Sequence, residues 1–145
     1  MILIEYPKQK PAIRSRLGRD EVFCLSRKKW VTLTPEEWVR QNFLLYLSLV
    51  LNYPPALLSV EKTIALGERK RRFDIVAFNR NGEPCILVEC KKMDVPLSEK
   101  VMDQLLAYRS VVQTNIFVIT NGVHCIAFQV INNRAELLNH LPPLM

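Results

Sequence analysis

Glycine is scarce in this chain, with 4 residues among 145, and no internal repeat or low-complexity tract interrupts it. With 49% hydrophobic residues beside so few glycines, the composition excludes a disordered chain and points to a compact globule. Long apolar runs are missing too. The longest, Leu44 to Leu51, is broken by Tyr46 and Ser48 and falls well short of the ~18 residues that a membrane-spanning helix needs. The opening MILIEYPKQK has no basic segment followed by an apolar one, so no signal peptide is expected and the cytoplasm is the default compartment. Zinc-type spacing is absent: Cys24, Cys85, Cys90 and Cys125 form no CxxC, and there is no HxxxH. Buried free thiols are the expected state of these cysteines, and the adjacency of His124 and Cys125 does not make a catalytic pair. A GxxxxGK[ST] phosphate loop is also lacking, which excludes ATP-driven translocation by this chain.

Positive charge is plentiful. The net charge is +6 and the isoelectric point is near 9.3, which favours an anionic partner. Basic residues cluster at Arg27-Lys28-Lys29 and at Arg69-Lys70-Arg71-Arg72, the second running directly into Asp74. Each cluster is accounted for by solvated surface alone. Phosphate contacts from Arg69, Lys70, Arg71 and Arg72 are the functional expectation for a chain acting on a polyanion.

The length suits one domain over residues 1–145. Residues 1–26 carry Pro7 and Pro11 and no clear period, and are expected to be a loosely packed arm. Thr34 is a good N-cap, Pro35 suits the first helical position, and Glu36 and Glu37 complement the helix dipole. Trp38, Phe43, Tyr46, Leu47 and Val50 supply the core stripe of that helix, which Asn52-Tyr53-Pro54-Pro55 ends. Leu57 to Leu66 reads as a strand, with Gly67 and the basic run as the loop after it. A second helix is expected from Ser98 to about Val112, followed by strands at Asn115 to Thr120 and Val123 to Val130 and a short closing helix after Asn132. The order is helix, three strands, helix, two strands. It implies an α/β fold with a mixed central sheet flanked by helices, the second helix serving as a right-handed crossover.

Phe73 to Lys92 organises the rest. Asn81-Gly82 favours a two-residue hairpin turn, with Arg80 facing Glu83. Counting outward sets Asp74 opposite Glu89 and places Asp74, Glu89 and Lys91 on one face with Val76, Phe78, Cys85 and Leu87. Phe73, Ile75, Ala77, Ile86, Val88 and Cys90 take the other. Both faces are apolar except at the end far from the turn, as in a strand pair covered on two sides. Two facing carboxylates repel, and a divalent cation held between them would offset that. Lys91 would then sit beside a water or phosphate oxygen. A surface charge cluster with a Lys91 salt bridge is the competing account.

Asp74, then fourteen residues, then Glu89-Cys90-Lys91 resembles the D…ExK signature of the PD-(D/E)xK nuclease superfamily. TPEEWVRQ at Thr34 to Gln41, Thr120-Asn121-Gly122, and the QxxxY pair Gln104 and Tyr108 narrow it. Between Arg27 and Phe128 the chain resembles the N-terminal nuclease domain of type I restriction enzyme R subunits in stand-alone form. The resemblance implies a restriction-endonuclease-like αβββαβ core and a Mg²⁺ (or Mn²⁺) site at Asp74 and Glu89, joined by the Cys90 main-chain carbonyl. It also implies an acidic residue from the first helix. Glu37 is preferred there over Glu36, though either is explained as well by the helix N-terminus alone. Lys91 would position water or the pentavalent transition state, and Gln104 with Tyr108 would orient substrate or the lysine. The expected activity is metal-dependent phosphodiester hydrolysis of nucleic acid, DNA foremost, with a protein partner or a homodimer as an additional expectation. A nuclease-fold module that binds nucleic acid or a protein without cutting it is the alternative.

Overall fold

The computed structural model describes residues 1–98, 116–132 and 134–145. Near the N-terminus lie β1 (Ile2–Leu3), β2 (Ile13–Arg16), β3 (Arg19–Cys24) and β4 (Lys29–Thr32), followed by helix α1 (Pro35–Leu45). Then come β5 (Leu58–Leu66), β6 (Arg69–Phe78), β7 (Pro84–Cys90), β8 (Ile116–Thr120), β9 (His124–Ile131) and β10 (Arg134–Leu137). The main sheet runs β1-β9-β8-β7-β6-β5, with β10 also paired to β9. Its β7–β8 pair is parallel and the other pairs are antiparallel, so the sheet is mixed. A parallel pair requires a crossover between β7 and β8. The expected Ser98 helix falls in that interval, and with Gln104 and Tyr108 it lies outside the described residues. The helix and strands that are described follow the αβββαβ order. No helix among the described residues is long and apolar enough to cross a membrane.

Helix α1 begins as its sequence dictates. Thr34 accepts a hydrogen bond from the Glu37 N–H at 3.0 Å, Pro35 occupies the first turn, and Glu36 and Glu37 meet the positive end of the dipole. A π-helical turn, Tyr46–Val50, extends it. The wider turn rotates the end of the helix, so Val50 is 40% exposed instead of closing the core stripe. Val39, Phe43, Leu44 and Leu47 pack with Ile75, Ala77, Ile86, Val88 and Cys90 in one core cluster. The opposite sheet face buries Phe73, Val76, Leu87, Phe117, Ile119, Phe128 and Val130, with the Phe117 and Phe128 rings stacked 5.3 Å apart.

Several expectations are corrected. Residues 1–26 do not form a loose arm throughout: β2 and β3 join β4 in a three-stranded antiparallel sheet in which Val22 and Cys24 are fully buried. Its first turn is Leu17-Gly18, both at positive φ. Arg69 to Arg72 belong to β6 rather than to a loop, paired from Leu66↔Arg69 to Thr63↔Arg72. The tail forms β10 and not a helix.

The β6–β7 turn also differs. Gly82 N–H donates to the Asn79 carbonyl at 3.0 Å, and Asn79 Oδ1 accepts from the N–H groups of Asn81 and Glu83. Arg80 and Asn81 therefore form the centre of the turn, and Gly82, at φ +78°, takes the left-handed position after it. A bulge between Ala77 and Phe78 then leaves Cys85 as the extra residue on β7 and turns it toward the α1 side. The two departures cancel. Ile75↔Val88, Val76↔Leu87 and Ala77↔Ile86 pair as a two-residue turn would have set them.

Candidate active site

The β6–β7 ladder is regular back to Ile75↔Val88 and pairs no further. Beyond that point the Lys91 N–H bonds the Thr120 carbonyl of β8 at 2.7 Å. Alternation along a strand therefore turns the Cys90 N–H toward β6. It finds the side chain of Asp74 there, donating to Oδ2 at 2.7 Å. On the other flank, β5 pairs Val60↔Ile75 and Lys62↔Phe73 but skips Glu61, whose φ is +51°. Asp74 thus sits where both neighbouring strands lose their regular pairing. The irregularity also explains why Phe73 packs with Val76 instead of on the Ile75 face expected from strict alternation.

Around this gap four carboxylates meet four guanidiniums. Arg40, on α1 and 8% exposed, reaches Glu37 Oε2 from Nε at 3.5 Å, Glu61 Oε1 from Nη1 at 3.5 Å and Asp74 Oδ1 from Nη2 at 3.6 Å. Its Nε is buried without a hydrogen-bond partner. Arg27 donates to Glu37 Oε1 at 2.8 Å, and Arg72 lies 3.7 Å from Glu61. Arg27 Nε also donates to Cys24 Sγ at 3.2 Å. Burial pushes the Cys24 thiol up, yet its hydrogen bonds with Arg27 leave it below the ordinary value. Arg71 Nη2 lies 3.3 Å from Glu89 Oε1 and its guanidinium covers the Phe73 ring.

Glu89 follows Val88 and Asp74 precedes Ile75, the last pair of the ladder, and beyond it the two side chains part: Asp74 reaches Arg40 on α1, whereas Glu89 reaches Arg71, which covers Phe73 of the opposite cluster. The Glu89 carboxyl is held above its usual value by burial first and by the charge of Asp74 second, while Arg71 and Lys91 pull it down. Lys91 is half-buried and makes no ion pair with the described residues. Cys90 turns its thiol into the α1 core, where burial and then Asp74 raise it well above the ordinary value. The charge of Glu36 reaches Cys90, whereas Glu37 is engaged by Arg27 and Arg40.

No preformed group of three or more His, Cys, Asp or Glu residues able to hold a metal occurs among the described residues. The arrangement still fits a magnesium-type ion, which uses one or two carboxylates and completes its shell with water and phosphate. The Asp74 carboxylate reaching the Cys90 N–H, one residue from Glu89, is the geometry that would allow a cation there.

Of the residues in this cluster, Arg27, Arg40 and Glu61 were not singled out from the sequence as site residues. Arg40 stands three positions after Glu37 on one helix, a spacing that pairs them. Its burial has no sequence signal, because arginine ordinarily reads as surface.

A family model described as the type I restriction enzyme R protein N terminus matches residues 35–142. No curated protein matches the chain. Among solved structures, a DUF820 protein from Anabaena variabilis, described as a candidate nuclease, is similar at 15% identity and a TM-score of 0.45, over 92% of this chain and 80% of that one.

Proposed function

The chain belongs to the family of type I restriction enzyme R protein N-terminal domains, and from that premise we propose that it hydrolyses phosphodiester bonds of nucleic acid, DNA foremost, with Mg²⁺ or Mn²⁺. The observation that carries this reading is Asp74. Its carboxylate replaces a strand partner for Cys90, the residue between Glu89 and Lys91, at a break in the sheet. Aspartate is a poor residue for a sheet interior unless it has work there. Asp74, Glu89 and the Cys90 carbonyl would hold the ion, and Glu37 borders them through Arg40. When bound, such an ion lowers the pKa of water and offsets charge on the scissile phosphate.

The chain's own residues supply the rest. Lys91 donates to the attacking water or to a phosphate oxygen as charge builds on it. Gln104 and Tyr108 orient the substrate or that lysine. Lys70 and Arg72, whose side chains leave β6 on the side opposite Arg69 and Arg71, contact flanking phosphates.

A module that binds without cutting is the second reading, and one observation favours it: the four arginines already balance the four carboxylates. Incubation of supercoiled DNA and of RNA with Mg²⁺, Mn²⁺ or EDTA separates the two. Hydrolysis predicts nicking with either ion, none with EDTA, and a loss of about 10²-fold or more in Lys91→Ala. Metal-independent binding with no cleavage under any condition would establish the second reading instead.

A further inference from the structure

We propose that Arg40 occupies the position a second divalent ion would take, so that the site binds one ion per chain, between Asp74 and Glu89. This rests on the nuclease reading and adds the cation count to it.

Arg40 does not behave as an ordinary ion-pair partner. A buried guanidinium normally forms short, forked hydrogen bonds with one carboxylate. Such bonds are attainable in this cluster, since Arg27 meets Glu37 at 2.8 Å. Arg40 instead points one nitrogen at each of three carboxylates, from α1, β5 and β6, at 3.5, 3.5 and 3.6 Å. Its Nε is left without a hydrogen bond. Near-equal, long distances to acids on three elements describe a central counter-charge, the part a cation plays. Without it, Glu37, Glu61 and Asp74 would lose the cation that contacts all three.

Two-ion sites hold their ions about 3.5–4 Å apart and share a carboxylate between them. Asp74 is the residue placed to be shared, and its Oδ1 is taken by Arg40, while Oδ2, which accepts from the Cys90 N–H, keeps acceptor capacity for one ion. The next acids toward α1, Glu37 and Glu61, are also Arg40 contacts. Toward Glu89 the situation differs. Its ion-pair partner Arg71 is 25% exposed and has solvent to turn into, whereas Arg40, at 8%, is enclosed. An incoming ion can therefore displace Arg71 but not Arg40. Guanidinium stays charged across the working pH range, so the internal cation is permanent.

The test is a Mn²⁺ titration of the full chain in the millimolar range, counting bound ions by electron paramagnetic resonance, with and without a short DNA duplex. One ion per chain is expected for the wild type and for Arg40→Lys, which keeps the charge. Arg40→Gln is expected to take up a second ion, and its melting temperature to rise more with Mg²⁺ than that of the wild type. Two ions in the wild type, or one in folded Arg40→Gln, would overturn the assignment of Arg40 while leaving the nuclease reading intact. No bound ion with or without DNA would remove the nuclease reading and this inference together. Should Arg40→Gln fail to fold, the wild-type and Arg40→Lys counts decide.

Discussion

Glu89 is drawn in two directions at once. Burial and Asp74 favour its protonated form, while Arg71 and Lys91 favour the charged one, and the balance lies above the ordinary carboxylate value. In metal-free protein the folded chain thus keeps this proton at pH values where the unfolded chain has released it. The stability this provides is present at low pH and is lost as pH rises from about 4.5 through the raised value. Thermal melts in EDTA across that range should show Glu89→Gln lacking this decline, and identical pH slopes for the two proteins would count against the burial argument. Arg71→Ala removes a partner that lowers the Glu89 carboxyl, so its decline should extend to higher pH. An ion bound at Glu89 requires the deprotonated form, so Mg²⁺ stabilisation of the wild type should grow over the same interval.

At the level of elements, the basic run shows what a strand does to a charge cluster. As a loop, Arg69 to Arg72 would form one diffuse patch. As part of β6 they alternate. Arg71 goes to Glu89, and Arg72, with a side chain 66% exposed, leans toward Glu61 while open to solvent. Lys70→Ala with Arg72→Ala should flatten the plot of log affinity for DNA against log salt by ~2, since each phosphate contact contributes about 0.9. Anisotropy measured between 50 and 200 mM salt reads this directly, and an unchanged slope would reduce the strand to solvated surface. The same element shows what was legible beforehand. β-branched runs flanking Asn81-Gly82 gave the hairpin and its register from Ile75 to Ala77, although the turn itself was misassigned. Thr34-Pro35-Glu36-Glu37 gave the start of α1, because caps are local chemistry. The basic run was hidden because charge obscures strand periodicity. The N-terminal sheet was hidden because its tight turn uses Leu17 where asparagine or aspartate is the usual signal. Arg40 and Glu61 were hidden because their meeting depends on tertiary packing.

For the molecule as a whole, the family match begins at Pro35, yet the fold does not. Ile4, Val22 and Cys24 are buried, and the carboxamide of Gln41 on α1 accepts from the Leu25 N–H at 3.2 Å. Ser26 Oγ donates to the Leu58 carbonyl at 2.7 Å, and Arg27 holds Glu37 at the edge of the acid cluster. A chain beginning at Thr34 would keep the matched segment and lose all of these. Full burial of an aliphatic side chain such as Ile4 or Val22 contributes about 1.5–3 kcal/mol, against a total stability of about 5–15 kcal/mol for a domain of ordinary size. The shortened chain should therefore melt roughly 10 °C or more below the full one. Full-length Arg27→Ala separates the two consequences of that deletion. It leaves the N-terminal sheet in place but deprives Glu37 of its shortest ion pair, so Arg40 should be drawn toward Glu37 and away from Asp74. The expected result is a smaller loss of stability than the deletion produces, together with tighter Mn²⁺ binding than in the wild type. Equal melting temperatures for the shortened and full chains would show that the segment from Pro35 onward is a folding unit without its N-terminal sheet.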